Sequence, residues 1–233
     1  MQIKVIASGS SGNAYYISDG YSSLLLDAGV SIKRIAQGCN FKISALQGCL
    51  ITHAHGDHVK SAQAIAGLGV NVYTSQGTID AAGLTGHRIH AIKSLKGFRT
   101  GGFHIIPFDV EHDAPESLGF LITSEATKER LLYFTDTMYL KYSFPRCTHI
   151  MMETNYSPEA IENNVIQGRI DPNRAKRVIN SHMSIETALK TLTLMDRSRL
   201  KQVYLLHLSN DNGRADEFKR RAQEIAGCEV YVC

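Results

Sequence analysis

Short apolar or alternating runs, separated by polar turns, divide the chain into strands and helices. Runs bounded by Gly, Ser, Asp or Asn predict strands. These strands lie at 3–7, 14–18, 23–26, 49–52, 70–74, 90–94, 103–108, 118–124, 130–135, 149–152, 203–206 and 229–232. Apolar residues at helical spacing predict helices at 31–37, 158–167, 172–180 and 216–226, with others starting near 59, 75 and 185. The alternation of the two kinds of element predicts an α/β protein.

The predicted elements fall into two similar halves, and each half opens with strands. We find no linker, repeat or low-complexity segment between them. The length of 233 residues is enough to bury a substantial core. We therefore predict one domain over residues 1–233.

Composition excludes several classes of protein. The 25 basic and 22 acidic residues give a net charge of +3, which is too small to indicate nucleic-acid binding by itself. The five cysteines are scattered and form no Cys-x-x-Cys pair, which favours reduced thiols over a disulfide framework. The chain starts directly as a strand, without a signal-peptide pattern or a membrane-length apolar run. We expect a cytoplasmic protein with no membrane partner.

The chemistry concentrates in the segment Thr52-His53-Ala54-His55-Gly56-Asp57-His58. It lies where an apolar strand ends and a helical pattern begins. His53 and His55 are two apart, so their side chains leave the same face of an extended backbone. Asp57 and His58 follow as the chain turns into the helix, so the segment can hold two metal ions. The alternative is a chance cluster of polar loop residues.

Other polar residues end strands further along the chain. His112, Asp136 and His207 are in such positions, and His182 precedes a helix that Ser184 can cap. Residues at strand ends along one edge of packed sheets can converge on a common cleft. Glu153 and Asn155 also end a strand, but a polar strand end without a role explains them equally well. The remaining histidines are each alone in their segment and are not expected to be ligands: His87, His90, His104 and His149.

The His-x-His-x-Asp-His pattern after an apolar strand resembles the signature of the metallo-β-lactamase fold, in its binuclear hydrolase branch. This resemblance covers nearly the whole chain and implies a four-layer αββα sandwich, with two sheets face to face and helices outside. It also implies two metal sites that share a bridging carboxylate. The first would be formed by His53, His55 and His112, the second by Asp57, His58 and His207, and the bridge by Asp136.

The implied donors suit Zn²⁺ or Mn²⁺, because imidazoles favour zinc and carboxylates widen the choice towards manganese. Two such ions, roughly 3.5–4 Å apart, hold a hydroxide and clamp a phosphodiester. Asp57 can orient that hydroxide, and Asp27 is a candidate acceptor for the N–H of a ligand histidine. A metal that only stabilises the fold is the alternative, although such sites are usually closed and rich in cysteine.

Three features favour a phosphodiester substrate. The first is a loop of glycine and small polar residues that can offer backbone N–H groups to an anion, or is simply a tight turn. The second is His182 before its helix, which resembles tRNA 3′-processing enzymes of this fold, where such a histidine assists the leaving group. The third is the polar segment after His207. The candidate substrate-binding residues of the two loops are Ser8, Ser10, Ser11, Asn13, Ser209 and Asn210.

Together these features resemble the small bacterial YycJ/WalJ family, proposed to be DNA exonucleases. We therefore predict a binuclear phosphodiesterase, with Asp57 and His182 as catalytic residues and nucleic acid, DNA before RNA, as substrate. Alternatives are a hydrolase of a cyclic nucleotide, ester or lactone, and a metal-holding regulatory module. Basic residues before His182 could meet phosphates or simply form a solvated helix face: Arg169, Arg174, Lys176 and Arg177. A second copy of the chain, in a homodimer, is a further candidate partner.

Overall fold

The computed structural model describes residues 1–209 and 211–233. Its strands are β1 (Gln2–Ala7), β2 (Ala14–Ser18), β3 (Ser23–Leu26), β4 (Gly48–Leu50), β5 (Val72–Thr74), β6 (Ile89–Ala91), β7 (Phe98–Thr100), β8 (Phe103–Asp109), β9 (Leu118–Ser124), β10 (Arg130–Phe134), β11 (His149–Glu153), β12 (Gln202–Leu206) and β13 (Glu229–Val232). Its helices are α1 (Ile32–Gly38), α2 (Gly56–Val59), α3 (Ala62–Gly67), α4 (Gln76–Ala82), α5 (Pro158–Ile166), α6 (Pro172–Ser181), α7 (Ile185–Leu194) and α8 (Ala215–Ala226). The strands belong to two sheets.

The first compact unit comprises Met1–Asp109 and Ala114–Arg130. It holds a six-stranded sheet in the order β1-β2-β3-β4-β5-β6. The pairs β1/β2 and β2/β3 are antiparallel, and the strands from β3 to β6 run parallel. Strands β7, β8 and β9 form an antiparallel part of the second sheet. Because β4, β5 and β6 are parallel, their carboxyl ends lie on one edge of the sheet.

Burial explains why these segments form strands. All of β4 is buried, as expected for a parallel strand covered on both faces. One apolar cluster packs α1, α3 and α4 against the six-stranded sheet, with Leu25, Ile35, Cys49, Ile65 and Val72 among its buried members. A rigid core therefore holds the end of β4, where the histidine segment begins.

The second compact unit comprises Val110–Asp113 and Leu131–Cys233. Its strands β10, β11, β12 and β13 are parallel neighbours, so their carboxyl ends also share one edge. Helices α5 to α8 belong to this unit, and Ser184 caps α7 by accepting the N–H of Thr187 at 3.2 Å. The predicted apolar face of α7 is buried through Ile185, Ala188, Leu189 and Leu192.

Several element predictions need correction. The helix predicted from Val59 is two short helices, α2 and α3. The strand predicted at 90–94 is shorter and earlier, at Ile89–Ala91, because the chain turns at Lys93. Strand β7 was missed, since three residues including Arg99 give no readable alternation. Among the described helices, none combines the length and the apolar character that a membrane crossing requires.

Candidate metal centre

The first group of candidate ligands follows β4 in the first unit. His53 is buried directly after Ile51 and Thr52, His55 precedes α2, and Asp57 and His58 lie within it. The His53 ring centroid lies 4.8 Å from that of His55 and 4.2 Å from that of His58. The Oδ2 atom of Asp57 is 3.6 Å from Nε2 of His58. The strand-to-helix turn thus packs three imidazoles and one carboxylate together.

Asp27, at the end of β3, fixes the orientation of this group. Its Oδ1 accepts the backbone N–H of Thr52 at 2.8 Å, and its Oδ2 lies 2.8 Å from Nδ1 of His58. The Thr52 hydroxyl lies 3.0 Å from Nδ1 of His53. Asp27 is fully buried and has a left-handed backbone, with φ of 54°. The Nδ1 atoms of His53 and His58 therefore have fixed neighbours, which sets the direction in which each Nε2 points.

The opening loop lies against the same histidines. Asn13 is fully buried, and its Nδ2 is 3.0 Å from Nε2 of His58. The backbone N–H of Asn13 donates to the carbonyl of Asp57 at 2.7 Å. Ser10 and Ser11 are exposed, while Ser8 accepts a hydrogen bond from Tyr15. Of the predicted substrate-binding residues in this loop, Asn13 is thus part of the packed histidine group.

Gly29 allows this close approach. A Cβ atom there would lie 1.6 Å from the backbone oxygen of Asp57. Its N–H donates to the carbonyl of Asn13 at 2.8 Å, and the N–H of Ala28 donates to the carbonyl of His58 at 2.7 Å. The opening loop, the segment after β3 and α2 therefore form one backbone-bonded block in which a side chain at Gly29 has no room.

The second group of candidate ligands lies at the carboxyl edge of the parallel strands in the second unit. Asp136 follows β10, Glu153 ends β11, and His207 follows β12. His182 joins them from the end of α6. One potential ligand atom from each of these residues lies within 4.8 Å of those of the others. Asp136 and His207 have left-handed backbones, with φ of 48° and 55°, as the chain turns sharply away from each strand.

Glu153 holds this second group together. Its Oε1 lies 2.6 Å from Nδ1 of His182 and 3.2 Å from Nδ1 of His207. Its Oε2 accepts the backbone N–H groups of Thr137 at 2.8 Å and Met183 at 3.1 Å. Burial raises the pKa of this carboxyl, but the positive charge of His182 and the hydrogen bonds outweigh burial and lower the pKa overall. Glu153 is therefore a buried carboxylate that contacts two histidines. Its position at a strand end did not show from the sequence alone whether it has a role in the site.

His182 is the partly exposed member of the group, with 19% of its side chain accessible. Its Nδ1 also lies 3.1 Å from Oδ1 of Asp136. Burial lowers the pKa of the ring, but the Glu153 charge and the contacts with both carboxylates outweigh it and raise the pKa to about 10. The Nδ1 atom of the ring thus faces two carboxylates, which favour its protonated form.

His112, in the short segment Val110–Asp113, lies beside this group. Its ring centroid is 5.8 Å from that of His182, and its Nδ1 donates to the backbone oxygen of Ser181 at 3.2 Å. Burial lowers the pKa of His112 despite the surrounding carboxylates, which favours the neutral imidazole that a metal ion requires. Asp113 ties the segment to α6 through an ion pair with Arg177 at 3.1 Å.

The loop after His207 is held by Asn155. The Asn155 amide donates to the His207 carbonyl at 2.8 Å, and the Asn155 carbonyl accepts the N–H of Ser209 at 2.9 Å. The Ser209 hydroxyl accepts the N–H of Asn212 at 3.2 Å. Ser209 therefore shapes the loop from within, and Asn210, also predicted to bind substrate, lies outside the described residues.

The donor chemistry of both groups fits divalent metal ions. Buried imidazoles and carboxylates are the ligands that Zn²⁺ and Mn²⁺ take in proteins. Within the described residues, the groups of potential ligand atoms include none of the four histidines set aside in the sequence. Two of those have other neighbours: His90 stacks on Tyr73 at 5.1 Å, and His149 contacts Thr148 at 2.9 Å.

Comparison with known proteins agrees with this chemistry. The sequence model described as "Beta-lactamase superfamily domain" matches residues 23–208. An exodeoxyribonuclease YycJ of Bacillus anthracis is 28% identical over 242 residues, covering 97% of this chain and 89% of that protein. An exodeoxyribonuclease WalJ of Streptococcus pneumoniae is 27% identical over 227 residues, covering 89% of this chain and 81% of that protein. The resemblance predicted from the sequence is confirmed.

Among solved structures, the metallo-β-lactamase fold protein YhfI from Bacillus subtilis superposes with a TM-score of 0.76 at 18% identity. The match covers 99% of this chain and 95% of that one. At this identity the similarity shows the fold alone. The predicted α/β architecture of the metallo-β-lactamase fold is thereby confirmed.

Proposed function

The chain belongs to the beta-lactamase superfamily and is a metal-dependent hydrolase, and on that premise we propose that it is a binuclear phosphodiesterase acting as an exonuclease on DNA. In this proposal residues 1–233 act as one hydrolase domain. The names of the relatives YycJ and WalJ support a nuclease and favour DNA over RNA. In this proposal the protein works in the cytoplasm.

We propose that two divalent ions, Zn²⁺ or Mn²⁺, bind residues from both groups. The first ion would use His53, His55 and His112. The second would use Asp57, His58 and His207, with Asp136 as ligand to both. Donor type, burial and the order of these residues along the chain support this assignment. When bound, such ions supply Lewis-acid polarisation of the phosphoryl oxygens and acidify a water molecule.

The side chains around the ligands have separate roles in this proposal. Asp27 and Thr52 hold the imidazoles of His58 and His53 in fixed orientations. Asp57 keeps 27% of its side chain accessible, so its carboxylate can accept a hydrogen bond from the attacking water. Glu153 is a positioning residue in this proposal. It makes no contact with the substrate and acts through the imidazole of His182, which it holds at 2.6 Å.

His182 carries the proposal. With Nδ1 facing Glu153 at 2.6 Å and Asp136 at 3.1 Å, the ring presents its other nitrogen, Nε2, as a proton donor. Cleavage of a phosphodiester leaves an alkoxide, and a positioned acid that protonates it contributes typically about 10²–10⁴-fold in rate. A partly exposed imidazolium held by two carboxylates can protonate the alkoxide of a nucleotide leaving group.

The proposal is tested with end-labelled single- and double-stranded DNA and RNA, incubated with Mn²⁺ or Zn²⁺, and with product mapping. We expect stepwise removal of nucleotides from a DNA end, and no turnover by Asp57→Ala. A matched control is Asp80→Ala, because Asp80 is an exposed carboxylate of α4. Hydrolysis of esters without cleavage of any nucleic acid would refute a nuclease. Bound metal without turnover of any substrate would indicate a regulatory module.

A further inference from the structure

A cavity lies in the first unit, at the carboxyl edge that carries the histidine segment. Its volume is about 600 Å³. Its lining includes Ser75 and Gln76 after β5, residues of the turn 93–96 after β6, the acidic residues Asp109 and Glu116, and Leu118 of β9. The four residues of that turn are referred to below as the lysine turn.

Hydrogen bonds join this cavity wall to the strand that leads to the histidines. Leu118 donates its N–H to the carbonyl of Thr52 at 2.9 Å, and Thr52 directly precedes His53. The hydroxyl of Thr74, next to Ser75, donates to the carbonyl of Ile51 at 3.0 Å. The cavity is therefore the continuation, along one sheet edge, of the surface where His53 and His55 leave β4.

The lysine turn supplies positive charge that the fold does not use. Lys93 and Lys96 are exposed, and within the described residues neither ammonium group takes part in an ion pair. Between them, the Ser94 hydroxyl oxygen is buried and has no hydrogen-bond partner. The lining also carries two carboxylates, Asp109 and Glu116, and that of Glu116 already accepts the N–H of Gly77 at 2.7 Å. A ligand with anionic oxygens would satisfy the hydroxyl and both ammonium groups.

The backbone holds the lysine turn in a strained shape. Leu95 has a left-handed conformation with φ of 60°, although its side chain is 59% exposed. Its N–H donates to the carbonyl of Pro107 at 2.8 Å, and the N–H of Lys96 donates to the carbonyl of Lys93 at 3.1 Å. Strained backbone conformations of this kind cluster at functional sites, and here no burial of the Leu95 side chain accounts for the strain. The turn therefore presents both lysines from one fixed loop.

We propose that this cavity binds a phosphodiester of the nucleic-acid strand, away from the bond that is cleaved. The proposal rests on the nuclease function and adds to it a subsite formed by Lys93, Ser94 and Lys96. Free phosphate and mononucleotides share this anionic chemistry, so the experiment must separate them from a continuous strand. Occupancy by the strand would align its end with the histidine segment.

The test compares the double variant Lys93→Ala/Lys96→Ala with the control Lys128→Ala/Lys190→Ala, which removes two exposed lysines elsewhere. Binding of a fluorescent single-stranded oligonucleotide is measured against salt concentration. We expect the Kd of the first variant to rise about 2- to 30-fold, the range for two exposed ion pairs. Its slope of log K against log salt should become shallower by about 1.4, since each phosphate contact on a single strand contributes about 0.7.

A second variant tests whether the ligand of this cavity is negatively charged. Glu116→Gln keeps an acceptor for the N–H of Gly77 but removes a negative charge, so it should bind the oligonucleotide more tightly than wild type. Equal salt slopes for the lysine variant, its control and wild type would overturn the subsite while leaving the nuclease intact. An equal loss of affinity for inorganic phosphate and for the oligonucleotide would also overturn it. Absence of nucleic-acid cleavage by wild type would instead refute the proposed function itself.

Discussion

The contact between Glu153 and His182 gives the sharpest prediction about catalysis. Glu153→Gln keeps the shape of the side chain but lets only one oxygen act as acceptor. If that oxygen takes the N–H groups of Thr137 and Met183, the amide NH₂ faces His182 and cannot stabilise its positive charge. Glu153→Ala is a poorer choice, because two unsatisfied buried N–H groups cost about 1–3 kcal/mol each.

The magnitude follows from the contact that is lost. A hydrogen bond to a charged group contributes about 1.5–3 kcal/mol, which corresponds to a loss of roughly 10- to 150-fold in kcat if it acts in the transition state. His182→Ala removes the acid itself and should cost about 10²–10⁴-fold. Because Glu153 acts through His182, we expect the double variant to be about as slow as His182→Ala alone.

The assay measures kcat on an oligonucleotide and on a nitrophenyl phosphodiester, whose leaving group needs little protonation. Both single variants should lose much less on the nitrophenyl substrate. Glu162→Gln, at an exposed position of α5, is the matched control. Elemental analysis must show unchanged metal content, because Glu153 also contacts His207. If the losses from Glu153→Gln and His182→Ala multiply, or are equal on both substrates, the positioning role is wrong.

Three further predictions concern metal, packing and substrate. Metal-loaded protein should contain two divalent ions per chain by elemental analysis, and at most one would contradict the shared role of Asp136. Gly29→Ala should destabilise the fold by about 1–3 kcal/mol in urea denaturation and abolish turnover, because its Cβ would lie 1.6 Å from the Asp57 oxygen. A Cβ atom added at Gly67 would have no other atom within 4 Å, so Gly67→Ala should leave the stability unchanged or raise it. Equal losses of stability in the two variants would contradict the steric explanation. Affinity for DNA should fall with salt by about 0.9 log units per log unit of salt for each phosphate contact, and insensitivity to salt would point to a small uncharged substrate.

The sequence predicts the positions of the candidate metal ligands better than it predicts the contacts that their neighbours make with them. The histidine segment was located because apolar β4 and the following polar cluster are local features. Glu153 could not be assigned, because its role depends on α6 bringing His182 to the end of β11. The predicted acceptor Asp27 does lie 2.8 Å from His58, and its left-handed backbone gave no signal in the sequence. Asn13 was predicted from its loop, whereas its burial depends on Gly29 admitting the backbone of α2.

The left-handed backbones of Asp27, Asp136 and His207 have a consequence for protein engineering. Each costs about 1 kcal/mol relative to a residue that adopts this conformation freely, out of a net stability of about 5–15 kcal/mol for a typical domain. Glycine at Asp136 or His207 would relieve the backbone and remove a proposed ligand in one step. A library selected for heat resistance alone would therefore accumulate inactive proteins, and thermostable variants must be selected for turnover in the same round.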